Sequence, residues 1–553
     1  MSDITVFAAR KIITMDPGRP CAAAIAVREG RIVSVGTMES MGPWLRRYPY
    51  RVDDSFADKV LMPGFVDPHT HLNQSGAYMF LHYVGPIASP GPDRMNPAYP
   101  TREAVMARMR ELEAAMGEST EPLFAWGFDP AIHGGHLHRN ELDTISAHRP
   151  IAVLSYAPHF LYTNTAMLKR LGADESLALH GVGRDPDGRL NGRFIEMEAL
   201  NYALGPLRGH FVTADRNRIG LVRMAEVAKK AGVTTTADML FGARNFESEW
   251  RLMSAAAGEP GFPLRMVLVP YEAAIRERFE RDAAAFLAEL AARSNDRIRF
   301  HGVKFFSDGS YPSMSLRLRP PGYLEGGNGL RGDIPWEQMA ERMMPFWKAG
   351  VQIHAHANGD EAIDAVLDSL ARLQSIHPRF DHRLTIEHYC ISTPDQARRL
   401  KALGGLASVN CYFVHFRSQI HSEHGFGPDR AEATARLGTL EREGVTFALH
   451  SDFSLVVAPL DPLLAVWIAV NRIAADGHTV QAPGERIGVE RALRAITIDA
   501  AYVLGLEREL GSLEVGKFAD FTVLGDDPTA VDPRAIRNIP VWGTVLAGRK
   551  QPA

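Results

Sequence analysis

Short apolar runs separated by glycine and proline turns mark both ends of the chain. They fill residues 4–36, and similar runs return at 511–524 and 541–546. This pattern predicts short strands. A sheet built from either end alone would be too small to bury its own apolar face. We therefore expect one β-sandwich formed by both termini, from residues 1–59 and 508–553.

Between these segments, apolar runs of strand length recur eight times, and helical patterns follow several of them. Apolar strands that alternate with helices predict a parallel sheet, and eight such strands predict a (β/α)8 TIM barrel over residues 60–507. The expected fold class is therefore α/β. The predicted strands cover residues 60–71, 232–238, 263–269, 298–306, 351–356, 384–388, 406–410 and 445–451.

The gap between the first two predicted barrel strands is far longer than an ordinary loop. Residues of about 72–214 are therefore expected to form an inserted cap subdomain. This segment leaves the barrel directly after its first strand, so we expect it to cover the barrel mouth. A lid in that position shapes the substrate pocket and excludes water.

Composition narrows the range of partners. Hydrophobic residues make up 46% of the chain and charged residues 23%, with a net charge of −4, which is typical of a globular protein. There is no basic patch for nucleic acid or membrane lipid and no apolar run long enough to span a bilayer. The three cysteines are widely separated and no signal peptide is seen. We expect a cytoplasmic protein that binds a small-molecule substrate, with a homodimer as the default assembly.

Candidate chemistry stands at the ends of the predicted barrel strands, where barrel enzymes carry their active sites. His69 and His71 end the first strand, and residues two apart on a strand share a face. Their paired imidazoles suit a divalent metal such as zinc. Other titratable residues recur at later strand ends, namely Lys304, His354, His356, Glu387, His388, His450 and Asp452.

These motifs resemble the amidohydrolase superfamily, specifically the amidohydrolase-3 branch that includes N-substituted formamide deformylase-like proteins. The matching segments are PGFVDPHTH, VKFFSDGS, HANGD, IEH, the late SD and GSLEVGKFADFTVL. Together they extend from about residue 4 to residue 548, so the resemblance covers almost the whole chain. It implies the same α/β barrel and a metal-dependent hydrolase.

The resemblance implies a metal centre with two positions. His69 and His71 would bind a buried α metal, and His356 and His388 would bind a β metal. His354 is the alternative to His356, because both side chains point to one face of the predicted strand. Zinc is the default metal, at one or two ions per chain, and iron, manganese or cobalt also suit such ligands.

The resemblance also implies roles for Lys304 and Asp452. An ammonium group has no lone pair for a metal, whereas a lysine carbamate formed with CO2 is an anionic oxygen donor. Lys304 would therefore bridge the metals once carboxylated, and a buried or substrate-facing amine is the alternative. Asp452 would bind the α metal and act as the general base, with His388 as the second catalytic residue.

Four further residues are candidates for substrate binding. His159 and Asn164 lie in a cap segment similar to a family segment that carries Asp-Gly-His and a later Asn. A structural role stays open for His159. His450 stands where the family has a glycine before Ser-Asp, which places a bulky polar group near the site. Asp129 is a further candidate pocket residue in the cap.

Together these observations predict an amidohydrolase that cleaves a C–N bond in a small amide, formamide, carbamate or cyclic amide. A metal-activated hydroxide would attack the carbonyl, and Asp452 would take the proton and return it to the leaving amine. Two alternatives stay open. The same ligands could serve decarboxylation, hydration or oxygen chemistry, or the chain could be a non-catalytic scaffold, against which the complete ligand set argues. The substrate itself is not predicted, since fold does not imply function.

Overall fold

The computed structural model describes residues 3–453 and 455–553. The first elements are β1 (Ile4–Ile13), β2 (Cys21–Arg28), β3 (Arg31–Gly36), α1 (Met38–Leu45) and β4 (Tyr50–Pro63). β1 pairs antiparallel with β2 and parallel with β4, while β3 extends the sheet beyond β2. Helix α1 begins with a capping box in which Thr37 and Ser40 exchange side-chain-to-backbone hydrogen bonds, which satisfy two backbone donors at the start of the helix.

The predicted cap segment has a sheet and apolar clusters of its own. After β5 (Phe65–Thr70), six of its strands form one mixed sheet in the order β12-β13-β11-β10-β9-β6. Its elements are α2 (Leu72–Tyr78), β6 (His82–Tyr83), β7 (Ser89–Pro90), β8 (Met95–Asn96), α3 (Arg102–Met116), β9 (Leu123–Phe128), α4 (Arg139–Asp143), β10 (Ile151–Ser155), β11 (Phe160–Thr163), α5 (Thr165–Leu171), β12 (Val182–Arg184), β13 (Leu190–Ile195) and α6 (Glu196–Leu204). One of the clusters also includes Leu455 and Val457, so the cap packs against a loop from much later in the chain.

The next part of the chain alternates helices with parallel strands. They form two sheets, in the orders β16-β15-β14-β5 and β17-β18-β19-β20-β21. The elements are α7 (Ala214–Lys230), β14 (Val233–Phe241), α8 (Phe246–Gly258), β15 (Arg265–Pro270), α9 (Glu272–Arg281), α10 (Ala283–Arg293), β16 (Ile298–Phe300), β17 (Val303–Phe306), α11 (Trp336–Lys348), β18 (Ile353–Ala357), α12 (Asp360–Ile376), β19 (Thr385–His388), α13 (Pro394–Ala402), β20 (Leu406–Val409), α14 (Tyr412–Phe416), α15 (Ser418–His424), α16 (Pro428–Ala431), α17 (Leu437–Arg442), β21 (Phe447–Leu449), α18 (Pro462–Asn471), α19 (Val489–Ala495) and α20 (Ile498–Val503). The chain therefore has an α/β fold, as predicted.

The two parallel sheets meet at both of their edges. The predicted strand 298–306 is divided at Gly302, where the φ angle is +63° and a Cβ atom would lie 2.9 Å from His354 Cδ2. Its first half pairs with β15 and its second half with β18. Backbone bridges join Tyr271 to Lys304 at this seam and Thr70 to Phe453 at the other.

The strands of both termini belong to one sheet. The last strands are β22 (Phe521–Leu524), β23 (Val541–Leu546) and β24 (Arg549–Pro552). They join β4 to give the order β24-β23-β22-β4-β1-β2-β3. Phe7 packs on Phe56 and on Phe521, with ring centroids 5.8 and 5.9 Å apart, so residues from both ends share one apolar cluster. The structure thus unites the strands of both termini in one hydrogen-bonded sheet.

A buried ion pair connects this terminal sheet to the parallel sheets. Arg265 Nε on β15 donates to Asp520 Oδ2 at 2.6 Å, and both side chains are almost fully buried. The predicted strand 60–71 is also divided between the two regions. Residues 60–63 pair with β22, and β5 begins after Gly64. Within the described residues, no helix has the length and apolar character needed to cross a membrane.

Candidate metal centre

Two histidines from β5 meet an aspartate that follows β21. His71 Nε2 lies 3.0 Å from Asp452 Oδ1, and His69 Nε2 lies 3.5 Å from the same oxygen. The Asp452 backbone N–H donates to the His69 carbonyl at 3.0 Å, which holds the two chain segments side by side. All three side chains are buried. Two imidazole nitrogens that approach the same carboxylate oxygen form a set of ligands suited to a divalent metal.

A second pair of imidazoles lies on the other side of Asp452. His356 Nδ1 and His388 Nε2 are 2.9 Å apart, and His388 Nδ1 lies 3.7 Å from Asp452 Oδ2. The opposite nitrogen of His356 lies 3.1 Å from the Gly309 carbonyl oxygen. His356 comes from β18 and His388 from the neighbouring β19. The predicted α and β ligand pairs are therefore adjacent in space.

Lys304 completes the group of six predicted ligands. Its Nζ atom lies 3.4 Å from His69 Nε2, and the residue is only 1% exposed. Burial lowers the pKa of Lys304 to about 8, against opposing effects from Glu387 and Asp452. About a tenth of this lysine is consequently a neutral amine at pH 7, far more than for an exposed lysine.

Three histidines of this group are held in the uncharged form, which is the form that can bind a metal. Burial, followed by the Lys304 charge, lowers the pKa of His356 to about 3. Burial also lowers the pKa values of His69 and His388 well below the ordinary histidine value. At neutral pH these imidazoles are therefore uncharged, each with a lone pair available for a cation.

A buried glutamate orients one of the ligands. Glu387 Oε2 lies 2.6 Å from His69 Nδ1, and Glu387 Oε1 lies 2.7 Å from His354 Nδ1. Burial alone would raise the pKa of Glu387, but the His354 hydrogen bond and the Lys304 charge lower it to about 2. The ionised carboxylate accepts the Nδ1 proton of His69 and leaves its Nε2 lone pair facing Asp452. Of the two predicted alternatives on β18, His356 lies beside His388, and His354 lies beside Glu387.

Two of the central residues have an unusual backbone conformation. The φ angles of His388 and Asp452 are +72° and +55°, in the left-handed region. Glu387 and His388 would face opposite sides of a regular strand. Both nevertheless contact His69, since the His388 and His69 ring centroids are 4.7 Å apart. The left-handed turn at the strand end allows adjacent side chains to face one site.

His450 was predicted as a substrate contact, and the structure places it among the ligands. Its ring stacks on His69 at 4.6 Å, with an interplanar angle of 19°, and lies 5.1 Å from the His388 ring. Burial lowers the pKa of His450 to about 4. Nitrogen atoms of His69, His388 and His450 all lie within 4.8 Å of one another. The sequence signal for this position was the histidine standing where the family has glycine.

Two of the residues predicted to bind substrate have partners within the protein. Asn164 caps α5 by accepting the Met167 N–H, and its amide donates to two backbone carbonyls of the cap. Asp129 forms a buried ion pair with Arg417, with Nη1–Oδ1 and Nη2–Oδ2 distances of 2.8 and 2.5 Å. This pair joins the cap to the segment after β20, and sequence reasoning missed Arg417 because the two residues are 288 positions apart. Asn164 and Asp129 therefore have structural roles in capping and ion pairing, and their contact with a substrate stays a prediction.

His159 lies in the turn between β10 and β11 and is partly exposed. Its charge contributes to lowering the pKa of His356, behind the larger effects of burial and Lys304. The cap turn that carries His159 therefore lies close enough to the metal-ligating group to influence it electrostatically.

Comparison with known proteins agrees with this geometry. The sequence model of the amidohydrolase family matches residues 57–550. The chain belongs to the amidohydrolase family. The resemblance seen in the motifs is thereby confirmed. Members of this family are metal-dependent, and the His/Asp group described above is a candidate metal site in this amidohydrolase.

Relatives of this amidohydrolase match it over most of their length. Protein LONG AFTER FAR-RED 3 of Arabidopsis thaliana is 28% identical over 93% of this chain and 85% of its own. The N-substituted formamide deformylase of Arthrobacter pascens is 24% identical over 99% of this chain and 98% of its own. A metal-dependent hydrolase from Pyrococcus horikoshii has a similar structure, with a TM-score of 0.71, 21% identity and coverage of 96% and 99%. The similarity to the Pyrococcus horikoshii structure shows a shared fold.

Proposed function

We propose that this chain is a metal-dependent hydrolase that cleaves the C–N bond of a small amide, formamide, carbamate or cyclic amide. The observation that carries the proposal is the convergence of two imidazole pairs around Asp452. Similarity to a formamide deformylase along nearly the whole chain supports the C–N bond as the target. A small-molecule substrate, a cytoplasmic location and a homodimer remain parts of this proposal.

The proposed scaffold is a (β/α)8 barrel with the cap over its mouth. Counting β16 and β17 as one divided strand, the two parallel sheets supply eight strands, and backbone bridges connect both pairs of edges. All ligands come from the ends of these strands or the segments that follow them. That is the face on which barrel enzymes bind substrates. The seven-stranded terminal sheet would fold over its shared apolar cluster and so form the predicted β-sandwich.

The residues present fit a bound metal. The Nδ1 proton of His69 points at Glu387, so the Nε2 atom presents a lone pair to Asp452 Oδ1. That oxygen is buried and has no hydrogen-bond partner among the described residues. Buried polar atoms are nearly always paired, and facing lone pairs repel unless a cation lies between them. Zinc suits this donor set, and iron, manganese or cobalt would also fit.

Lys304 suits the role of a bridging carbamate. Carboxylation requires a neutral amine, and burial lowers the pKa of Lys304 to about 8. Reaction with CO2 would replace a cation beside His69 with an anionic pair of oxygen atoms. In a site that already holds neutral imidazoles, an anionic carbamate would offset part of the positive charge of the bound metal. The proposal therefore includes one or two metal ions per chain.

In the proposed reaction, a divalent metal held by the predicted ligands would lower the pKa of a water molecule towards neutrality and would polarise the substrate carbonyl. Asp452 accepts the proton of the attacking oxygen on a carboxylate oxygen and returns it to the leaving nitrogen. His388, 3.7 Å from Asp452 Oδ2, orients that carboxylate and is the second catalytic residue of the proposal. The cap turn around His159 binds the substrate and excludes water. The C–N bond breaks, and a carboxylate or carbamate and an amine leave.

Metal analysis combined with activity screening tests the proposal. Protein purified without chelator should contain up to two metal ions per chain, and the content should fall sharply in Lys304→Ala and Asp452→Ala. Metal-loaded wild-type protein should release amine from a panel of N-substituted formamides, amides and carbamates, while Asp452→Ala should not. Wild-type protein that takes up no metal in the presence of bicarbonate would contradict the proposal.

A further inference from the structure

His450 is a buried imidazole at the centre of the candidate site whose role the six predicted ligands leave unexplained. It follows β21 directly and is only 1% exposed. Its ring lies parallel to that of His69 and at 64° to that of His388, with centroid distances of 4.6 and 5.1 Å. It therefore lies between one member of the α pair and one member of the β pair.

Both ring nitrogens of His450 are without a hydrogen-bond partner among the described residues. Buried imidazole nitrogens are normally paired, because at least one is an N–H donor and the other carries a lone pair. A phenylalanine could fill the space and stack on His69 without this difficulty. Packing alone therefore does not account for a histidine at this position.

The depth of His450 argues against direct contact with a substrate. His450 precedes Asp452 by two residues, as His69 precedes His71. In each pair the earlier residue is the more deeply buried one, with an exposed fraction of 0–1% against 6–7% for the later residue. The shallower members, His71 and Asp452, approach each other at 3.0 Å. The deeper members, His69 and His450, are the two that stack. A substrate that enters from the strand ends would meet the shallower residues first.

We propose that His450 is a further metal ligand, which together with His69 and His388 binds one metal through three imidazoles. This set replaces the division of His69 and His388 between an α and a β ion, so it describes the centre that holds a single ion. The nitrogens of these three residues already lie within 4.8 Å of one another, each from a different segment. Three imidazoles on one metal are a recognised ligand set for zinc and for other borderline metals. The inference rests on the proposed function only in requiring a metal at this site, and it does not depend on the reaction.

The test is cobalt binding to chelator-treated protein, followed by X-ray absorption of the bound Co²⁺. The variant His450→Phe keeps the volume and the aromatic stacking on His69 but removes both nitrogens. The variant His450→Gln keeps a polar side chain, so that the test survives if either replacement fails to fold. We expect the dissociation constant for Co²⁺ to rise at least about 10-fold in both variants, with one fewer nitrogen ligand per metal.

His421 offers a matched control. It is also buried, and neither of its ring nitrogens has a partner among the described residues, but Tyr311 and Phe426 surround it at ring distances of 4.5 and 5.4 Å. His421→Phe should leave Co²⁺ affinity and ligand number unchanged. A loss of affinity in this control similar to that in His450→Phe would show a general effect of removing a buried imidazole and would overturn the proposal.

The remaining outcomes separate this inference from the proposed function. If wild-type protein binds Co²⁺ and His450→Phe keeps the same affinity and nitrogen count, His450 is no ligand and the inference alone fails. Weaker binding with an unchanged nitrogen count would make His450 a positioning residue and would also overturn the inference. Wild-type protein that binds no Co²⁺ would remove the metal centre itself, and with it both proposals.

Discussion

Two buried aspartates of this amidohydrolase show how differently a carboxylate can be accommodated. Asp129 in the cap receives two hydrogen bonds from the Arg417 guanidinium and two from backbone N–H groups. Asp452 faces imidazole nitrogens at 3.0 and 3.5 Å, and one of its oxygens has no hydrogen-bond partner among the described residues. The protein pairs the first carboxylate with a cation of its own, whereas the proposed metal would pair the second. Function is therefore expected where buried charge is incompletely compensated.

Of the variants that test this comparison, Asp452→Asn should show the largest effect, which is a loss of catalytic activity. The amide cannot accept the proton of the attacking oxygen, so kcat should fall about 10²- to 10⁴-fold, as for loss of a general acid–base group. The melting temperature of the metal-free protein should hardly change, because no lysine or arginine among the described residues forms an ion pair with Asp452 that the variant would break. Steady-state kinetics and thermal melts measure the two quantities. A variant with near-normal kcat would remove Asp452 from the mechanism.

Asp129→Asn should produce the opposite result, a loss of stability. It leaves the fully buried Arg417 without a counter-charge, which costs about 3–5 kcal/mol of unfolding free energy. The double variant Asp129→Asn/Arg417→Met should recover part of that loss, and a denaturant series on all variants measures it. An unchanged unfolding free energy in Asp129→Asn would show that the ion pair does not hold the cap in place.

The Asp129–Arg417 ion pair also predicts that the unfolding free energy depends on pH. Burial would raise the pKa of Asp129, but the Arg417 charge brings it below the ordinary aspartate value. Because the folded-state pKa is lowered, this contribution is fully present above the unfolded pKa of about 3.9 and is lost as pH falls through the folded value. The destabilisation caused by Asp129→Asn should therefore be constant near neutral pH and shrink below about pH 4. Denaturation curves of both proteins across this range provide the measurement.

Glu387→Gln should lower the affinity for the metal, which is an effect of intermediate size. The amide no longer provides a carboxylate to both His69 and His354, so His69 loses the interaction that fixes its tautomer. Residues that orient a metal ligand in this way typically change metal affinity about 10- to 100-fold. Competition with a chromophoric chelator measures the change. Equal affinity in the variant would show that the Glu387 contact does not orient His69.

Asn164→Ala should have the smallest effect, a modest loss of stability. It tests a polar group that is fully paired within the protein, in contrast to Asp452. Loss of the helix cap at α5 should cost about 1 kcal/mol of stability, or somewhat more because its amide also donates to cap carbonyls. KM should remain unchanged, since all of these partners lie within the cap. A raised KM with unchanged stability would restore the substrate contact first predicted for this residue.

Sequence reasoning was most informative where chemistry follows directly from local periodicity. The motif PGFVDPHTH places His69 and His71 on one strand face, and the strand-end positions of Lys304, His356 and His388 follow in the same way. It was less informative about element boundaries. The strand predicted over 60–71 is divided at Gly64, where a Cβ atom would lie 2.0 Å from Thr234 Oγ1, a contact between distant parts of the chain.

The sequence by itself determined the α/β alternation, the family and the strand ends at which metal-binding side chains occur, because backbone geometry repeats over a few residues. Only the tertiary structure decided which of these side chains meet. It paired Asp129 with Arg417, placed His354 beside Glu387 and stacked His450 on His69. Such contacts join residues that are tens to hundreds of positions apart. They depend on strand order and on close packing, which no local pattern of apolar and polar residues encodes.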